Sequence, residues 1–156
     1  MKFTLAKALK LKNRLAGRMA DLNRGITTYN SVLIGTEKPD VAALNAEKRK
    51  VRLALITLKT LISKANQPIQ HNIFGIAELK AELTFLEGLT TRHGPYTREY
   101  GDGPARTYEA VIRIADVTSR KADMQATIDK LQDELDTYNH TTEIEVEDDE
   151  IWTKLH

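Results

Sequence analysis

Two groups of basic side chains are the part of this chain whose residue types and spacing come closest to a binding chemistry. The first group recurs at steps of three and four, so a helix would carry it as one stripe. The second group is a short cluster farther along the chain. Basic faces of this kind can bind the phosphates of a nucleic acid, so the sequence predicts a face for an anionic partner. Its members are Lys7, Lys10, Arg14, Arg18, Lys48, Arg49, Lys50 and Arg52.

A solvated or internally paired face is the alternative interpretation of the same residues. Neither group contains an aromatic side chain on which a base could stack, and no DNA-reading or RNA-reading motif is present. Residues 1–68 carry 14 Lys and Arg against 4 Asp and Glu, whereas residues 69–156 carry 9 against 18. The basic half therefore has an acidic counterpart in the same protein, within one subunit or between subunits.

The remaining reactive side chains are scattered, and the sequence predicts no catalytic, cofactor or metal site. The chain has no cysteine, and its four histidines lie far apart. The acidic run 147–150 lacks the spaced ligands and the turn glycine of a calcium loop, and Gly101-Asp102-Gly103 is not followed by the Lys-Ser/Thr of a phosphate loop. With no nucleophile elbow either, the sequence predicts a protein that is not an enzyme.

Two long helices must position the basic faces. Over 3–34, apolar residues fall at alternating steps of three and four, which is the period of a helix packed lengthwise on another helix. The same period returns over 41–66, after a turn in which Gly35 suits a helix C-cap and Asp40 an N-cap. A turn this short predicts an antiparallel hairpin. The predicted packing seam contains Leu15, Met19, Leu22, Ile26, Leu55, Leu58 and Ile62.

The second half of the chain predicts two more helices around a small β element. The helices are expected over about 75–92 and 117–139, with Asp116 as the N-cap of the latter. Alternating apolar residues around a Gly/Pro-rich turn predict a β-hairpin over about 96–115. The fold class is therefore mainly α, with long antiparallel hairpins in a four-helix bundle or coiled coil. The segment 1–146 is expected to be one helical domain.

An acidic tail follows, over 147–156. The alternation of Ile144 and Val146 with acidic residues fits either an edge strand or a disordered tail across 143–150. Trp152, the only tryptophan, lies beyond the acidic run as a docking anchor. The N-terminal residues do not form the apolar core of a signal peptide, and no stretch reaches the length of a membrane span.

Surplus apolar residues and seam lysines bear on self-association. The second and third helices carry apolar residues beyond their seams, which indicates more than one neighbour. Those residues are Leu53, Ile56, Leu61, Phe85 and Leu89. Lys12, Lys48 and Lys121 occupy seam positions, either to fix the register of a helical assembly or because each lysine extends along the helix to reach water.

Short sequence stretches resemble a family of uncharacterised, septicolysin-like helical proteins of bacteria and phages. The matching stretches are 5–17, 30–33, 58–66 and the run from Ile112 to Ile144. The resemblance covers most of the first 146 residues and implies long antiparallel helices with a small β element. It implies no catalytic residues, and the extension 147–156 departs from the family's usual ending.

These observations lead to two functional hypotheses. The first is a structural or assembly protein that acts through helix–helix self-association, with itself or other assembly proteins as partner, no cofactor and no membrane contact. We expect it in the cytoplasm, or in a virion if a phage encodes it. The second is a nucleic-acid-binding module that uses the basic first hairpin and is modulated by the acidic tail.

Overall fold

A computed structural model describes residues 1–96 and 106–147. The described chain is mainly helical, with four α-helices and two short antiparallel strand pairs, so the predicted fold class is confirmed at that level. The elements in chain order are β1 (Lys2–Thr4), α1 (Leu5–Tyr29), α2 (Val41–Ala65), a 3₁₀ turn (Gln67–Ile69), α3 (Gln70–Gly88), β2 (Gly94–Tyr96), β3 (Arg106–Tyr108), α4 (Ile114–Thr141) and β4 (Glu143–Glu145).

The first helix is shorter at both ends than the predicted 3–34. Thr4 is its N-cap, and the Thr4 hydroxyl accepts a hydrogen bond from the Lys7 backbone N–H at 3.3 Å. The helix ends at Tyr29. Gly35 lies in the following turn with φ +89°, and it is not the helix C-cap. Leu33, which continues the seam spacing, is 85% exposed because the helix has already ended.

The second helix begins as the sequence predicts. The Asp40 carboxylate accepts a hydrogen bond from the Ala43 backbone N–H at 3.0 Å, which confirms Asp40 as the N-cap. The last helical residue is Ala65, one before the predicted end. Arg18 contacts Glu47, and a Cβ at Gly25 would lie 3.4 Å from Leu44 Cδ1, so α2 runs antiparallel to α1.

A two-stranded sheet joins the beginning of the described chain to its end. β1 pairs antiparallel with β4, with Phe3 opposite Ile144. The Met1 amino group donates to the Val146 carbonyl at 2.8 Å, and the Val146 N–H donates to the Met1 carbonyl at 2.9 Å. Phe3 was expected in the first helix but belongs to this sheet. The strand alternative holds for Glu143–Glu145, whereas 148–156 lie outside the described residues.

The sequence predicts one helical domain over 1–146, whereas the contacts divide the chain into two compact units. Unit 1 contains Met1–Ile69 and the chain from Asp136 onward, and unit 2 contains Gln70–Leu135. One apolar core fills unit 1, built from α1, α2, β1 and the β4 segment. Its buried members are Phe3, Leu5, Ala8, Leu11, Leu15, Leu22, Val51, Ala54, Leu58, Ile62, Ile144 and Val146.

Unit 2 contains α3, the β2–β3 hairpin and most of α4. Asn72 Nδ2 donates to Glu134 Oε2 at 2.7 Å, and Lys121 Nζ lies 3.2 Å from Glu87 Oε1, so α3 and α4 run antiparallel. The Leu131 side chain of α4 reaches α3 at Gly75, where a Cβ would lie 3.3 Å from Leu131 Cδ1. Its buried apolar residues in the described part are Ile76, Leu86, Val117 and Ile128.

The element boundaries in unit 2 differ from the predicted ones. α3 begins at Gln70, five residues before the predicted start, because the 3₁₀ turn leads directly into it. The strands of the hairpin end at Tyr108, and the alternating residues after it are not a strand. α4 begins at Ile114, and Asp116 is not the N-cap. Instead its carboxylate accepts a hydrogen bond from the Arg113 N–H at 3.2 Å, as in a capping box.

Candidate functional site

The predicted packing seam lies inside unit 1. Leu15, Leu22 and Leu58 are at most 2% exposed, and Ile62 is buried as well. Met19 and Leu55 are partly buried and pack against this core. Ile26 is half-buried. Ala8, Leu11 and Ala54 are buried in the same core, although they are not among the seven predicted seam residues. The seam residues therefore pack within one chain.

Three of the predicted basic residues line one surface groove of about 380 Å³ in unit 1. Lys7, Lys10 and Arg14 lie at steps of three and four on the first three turns of α1, so the helix places them on one side. The full lining is Thr4, Ala6, Lys7, Lys10, Leu11, Arg14 and His140. We call this site the cationic groove.

His140 reaches the cationic groove because the sheet anchors the end of α4 beside the start of α1. The Leu5 N–H donates to the Thr142 carbonyl at 2.7 Å, immediately after the last helical residue of α4. His140 Nδ1 lies 2.7 Å from the Asp136 carbonyl oxygen, which fixes one ring nitrogen within the last turn. The sequence predicts no site at His140, since nothing local links residue 140 to residues 4–14.

The electrostatics of the cationic groove come from basic side chains in different environments. The Lys7 ammonium lies 5.5 Å from the centroid of the Phe3 ring, a cation–π contact. Lys10 is exposed and makes no hydrogen bond or ion pair with the residues that the structure describes. Within residues 1–96 and 106–147, no aspartate or glutamate lines the groove. Its lining can therefore hold a negatively charged group.

The rest of the predicted anionic-partner face does not join this groove. Arg18, the fourth member of the stripe, forms a two-pronged ion pair with Glu47, with both N···O hydrogen bonds at 2.9 Å. On α2, Lys48 is half-buried, whereas Arg49, Lys50 and Arg52 are exposed. Successive helical residues point about 100° apart, so this cluster is spread around the helix. The residues predicted to form one basic face therefore fall into three groups: those that line the groove, Arg18 in an ion pair, and the basic residues of α2, which point in different directions.

Exposed apolar residues form faces on two helices. On α2, Leu53 and Ile56 are 62% and 56% exposed. On α3, Phe74 and Phe85 are 59% and 56% exposed. Among the other surplus positions, Leu61 packs against the core of unit 1 and Leu89 is half-buried.

An aromatic cluster on the β2–β3 hairpin was not anticipated from the sequence. The Tyr96 and Tyr108 rings meet edge to face with centroids 6.2 Å apart, and the Arg92 guanidinium lies 5.1 Å and 5.9 Å from their centroids. Tyr108 is opposite Gly94 in the register, so the two tyrosines are diagonal neighbours on one face. The cluster covers part of a hairpin that two strands alone would hold only weakly.

The contacts of Lys121 distinguish between the two interpretations of the seam lysines. Its ammonium lies 3.2 Å from the Glu87 carboxylate, and both side chains are partly exposed. Lys12 and Lys48 are half-buried. The contact of Lys121 with a partly exposed carboxylate favours a lysine that extends toward water over one that fixes register.

No group of three or more His, Asp or Glu side chains in the described ranges is arranged to hold a metal ion. Trp152, the predicted docking anchor, lies outside the described residues, as does the acidic run after Glu147. Within residues 1–96 and 106–147, no helix combines the length and the apolar content that crossing a membrane requires.

No protein-family model, curated protein or solved structure matches this chain. The resemblance to septicolysin-like proteins therefore stays a prediction.

Proposed function

We propose that this chain is a non-enzymatic structural or assembly protein that associates with further copies of itself through the outer face of α3. The observation that carries the proposal is the exposure of Phe74 and Phe85, each more than half exposed on the same side of one helix. Large apolar side chains that are grouped on a surface favour burial against a partner.

The outer face of α3 has the composition of a helix-packing surface. Phe74, Ala81 and Phe85 fall within a sector of about 40° at 100° per residue, and the two rings are about 16 Å apart along the axis. Ala77 and Ala81, both exposed, lie between the rings and would let a partner helix approach closely. The opposite side of α3 buries Ile76 and Leu86. A helix that is apolar on two sides requires neighbours on both.

Two further features support self-association. Leu53 and Ile56 on α2 offer a second exposed apolar pair. The excess of basic residues in 1–68 and of acidic residues in 69–156 gives each copy regions of opposite charge, which favours contact between copies. The arrangement of all four helices as one bundle or coiled coil, within a chain or between chains, belongs to this proposal, as does a role in the cytoplasm or in a virion.

The test is the mass in solution of the full chain and of the double variant Phe74→Ser/Phe85→Ser, measured by multi-angle light scattering. The native chain is expected to exceed the 17.6 kDa of one copy at micromolar concentration, and the variant to return to it. Both phenylalanines are exposed, so their replacement should leave the helical circular dichroism unchanged.

Val111→Ser is the matched control, because Val111 is 94% exposed but lies in the segment before α4 rather than on the α3 face. This variant should retain the mass of the native protein. A native protein that stays at the mass of one copy up to about 100 μM would refute self-association.

Nucleic-acid binding is a second candidate, favoured by the exposed basic residues of α1 and α2. It predicts binding to DNA or RNA that weakens steeply with salt. The acidic tail would compete for the same basic residues, so its removal should strengthen binding. Because Ile144 and Val146 are buried in the core, the suitable truncation removes 148–156 and leaves β4 in place. Absence of gel retardation by this truncated chain at low salt would exclude the candidate.

A further inference from the structure

We propose that the cationic groove binds a compact phosphate-bearing anion of the size of pyrophosphate or a small phosphorylated metabolite. This site is distinct from the apolar face of α3 and does not depend on self-association. Its volume of about 380 Å³ lies near the lower end of the range of ligand pockets, which suits a small ligand.

The side chains of the cationic groove match the chemistry of phosphate oxygens. Arg14 contributes a planar guanidinium, a group that matches phosphate oxygens, while Lys7 and Lys10 supply ammonium groups. Lys10 is the residue most available to an anion, since it is exposed and has no hydrogen-bonding or ion-pair partner among the described residues. His140 lines the groove from α4, so the lining comes from more than one helix.

The start of α1 adds a favourable field. Thr4, Ala6 and Lys7 belong to the N-cap and first turn of this 25-residue helix, and all three line the groove. The N-terminal end of a helix carries partial positive charge, which stabilises an anion nearby. This field acts on an anion at the Lys7 end of the groove, because the effect falls off within the first turn and Lys10 and Arg14 lie beyond that turn.

The limited extent of the groove favours a compact anion over a nucleic-acid strand. Lys7 and Arg14 are about 10 Å apart along the helix axis, which is room for one or two phosphate groups. Arg18, which would continue the stripe, is already paired with Glu47. Among the described residues no Phe, Tyr or Trp lines the groove, and His140 supplies its single ring.

The experiment is a titration of the ¹⁵N-labelled full chain with pyrophosphate, followed by the amide resonances of residues 4–14 and 140 at constant ionic strength. We expect saturable shifts that centre on these residues. Lys10→Gln should weaken the affinity about fivefold, the loss typical of one charge-assisted contact at an accessible site. Arg14→Gln should weaken it at least as much.

Lys50→Gln is the matched control, because Lys50 is an exposed lysine of α2 that does not line the groove. It should change the affinity less than twofold if binding is local. Equal weakening by Lys10→Gln and Lys50→Gln would overturn the proposal, since binding would then reflect overall charge. Shifts that do not saturate would overturn it as well.

A parallel titration with a single-stranded oligonucleotide separates the two sources of phosphate. Binding of pyrophosphate at these resonances, with no tighter binding of the oligonucleotide, supports a small-anion site. Binding of the oligonucleotide alone contradicts the small-anion proposal and favours the nucleic-acid candidate. Neither result affects the mass measurement that tests self-association, so the proposals can fail separately.

Discussion

Unit 1 and unit 2 are built from similar helices but bury their apolar residues to different degrees. The core of unit 1 contains twelve buried apolar residues, whereas unit 2 has four in its described part. Unit 2 exposes the aromatic residues Phe74, Phe85 and the tyrosine pair of the hairpin, whereas the large exposed side chains of unit 1 are aliphatic, such as Leu53 and Ile56. The difference indicates that unit 1 provides most of the stability of the isolated chain, and that unit 2 leaves large aromatic side chains exposed.

The cause of the difference is the distribution of apolar residues around each helix. In α1 and α2 these residues concentrate on facing seams, and small residues such as Ala8 and Ala54 allow close packing. β1 and β4 then cover one end of this core. In α3 the apolar residues occupy both sides of the helix, so one neighbouring helix in the same unit cannot cover them all.

The strongest test of this comparison is a matched pair of leucines on α2. Leu58→Ala removes a fully buried side chain and should lower the free energy of unfolding by about 3 kcal/mol. Leu53→Ala makes the same change at a position that is 62% exposed and should cost less than about 0.5 kcal/mol. Urea unfolding followed by circular dichroism measures both.

Leu86→Ala extends the same test to unit 2. Leu86 is 2% exposed, but its neighbour Phe85 is more than half exposed, so the site can relax more easily than the core of unit 1. We expect a cost of about 2 kcal/mol. A larger cost than that of Leu58→Ala would contradict the ranking of the two units.

The sheet that closes unit 1 gives the next largest expected effect. Ile144→Ala should lower the free energy of unfolding by about 2 kcal/mol, because Ile144 is 6% exposed and packs in the core opposite Phe3. The backbone amide of Leu5, which bonds to Thr142, should also exchange its hydrogen faster. Glu143→Ala, on the exposed side of the same strand, serves as the control and should change neither quantity appreciably.

A partly buried hydrogen bond at the end of α2 in unit 1 offers a smaller test. The Tyr138 hydroxyl donates to the Ala65 carbonyl at 2.7 Å, and that carbonyl is one of those that the helix end leaves without an internal partner. Tyr138→Phe should cost about 1 kcal/mol in urea unfolding. Tyr29→Phe should be nearly neutral, since Tyr29 forms no hydrogen bond through its side chain to the described residues. Equal effects would show that the Tyr138 hydrogen bond adds no stability.

The smallest expected effects come from ion pairs, and each unit has one that can be compared with the other. Double-mutant cycles should yield a coupling of about 0.7 kcal/mol for Arg18–Glu47 in unit 1 and about 0.3 kcal/mol for Lys121–Glu87 in unit 2, because only the arginine pair has two parallel hydrogen bonds. Both couplings should decrease as NaCl is raised, since both pairs are accessible to solvent. The reverse order would contradict the argument from geometry.

The sequence by itself determined the features that depend on local spacing. The seam of leucines predicted α1 and α2, and Asp40 marked where α2 begins, because helical periodicity and N-capping act over a few residues. The basic residues Lys7, Lys10 and Arg14 were found in the same way, since steps of three and four place them on one helix face.

Only the tertiary structure decided how distant segments combine. Phe3 lies opposite Ile144 although 141 positions separate them in the sequence. A strand of three residues is too short for its pattern of apolar residues to indicate which segment it pairs with. The same pairing brings His140 to the cationic groove, and the contact of Arg18 with Glu47 ends the basic stripe. The sequence therefore determined which helix faces exist, whereas the fold decided which of them are buried, paired or left open, because those outcomes depend on what packs against each face.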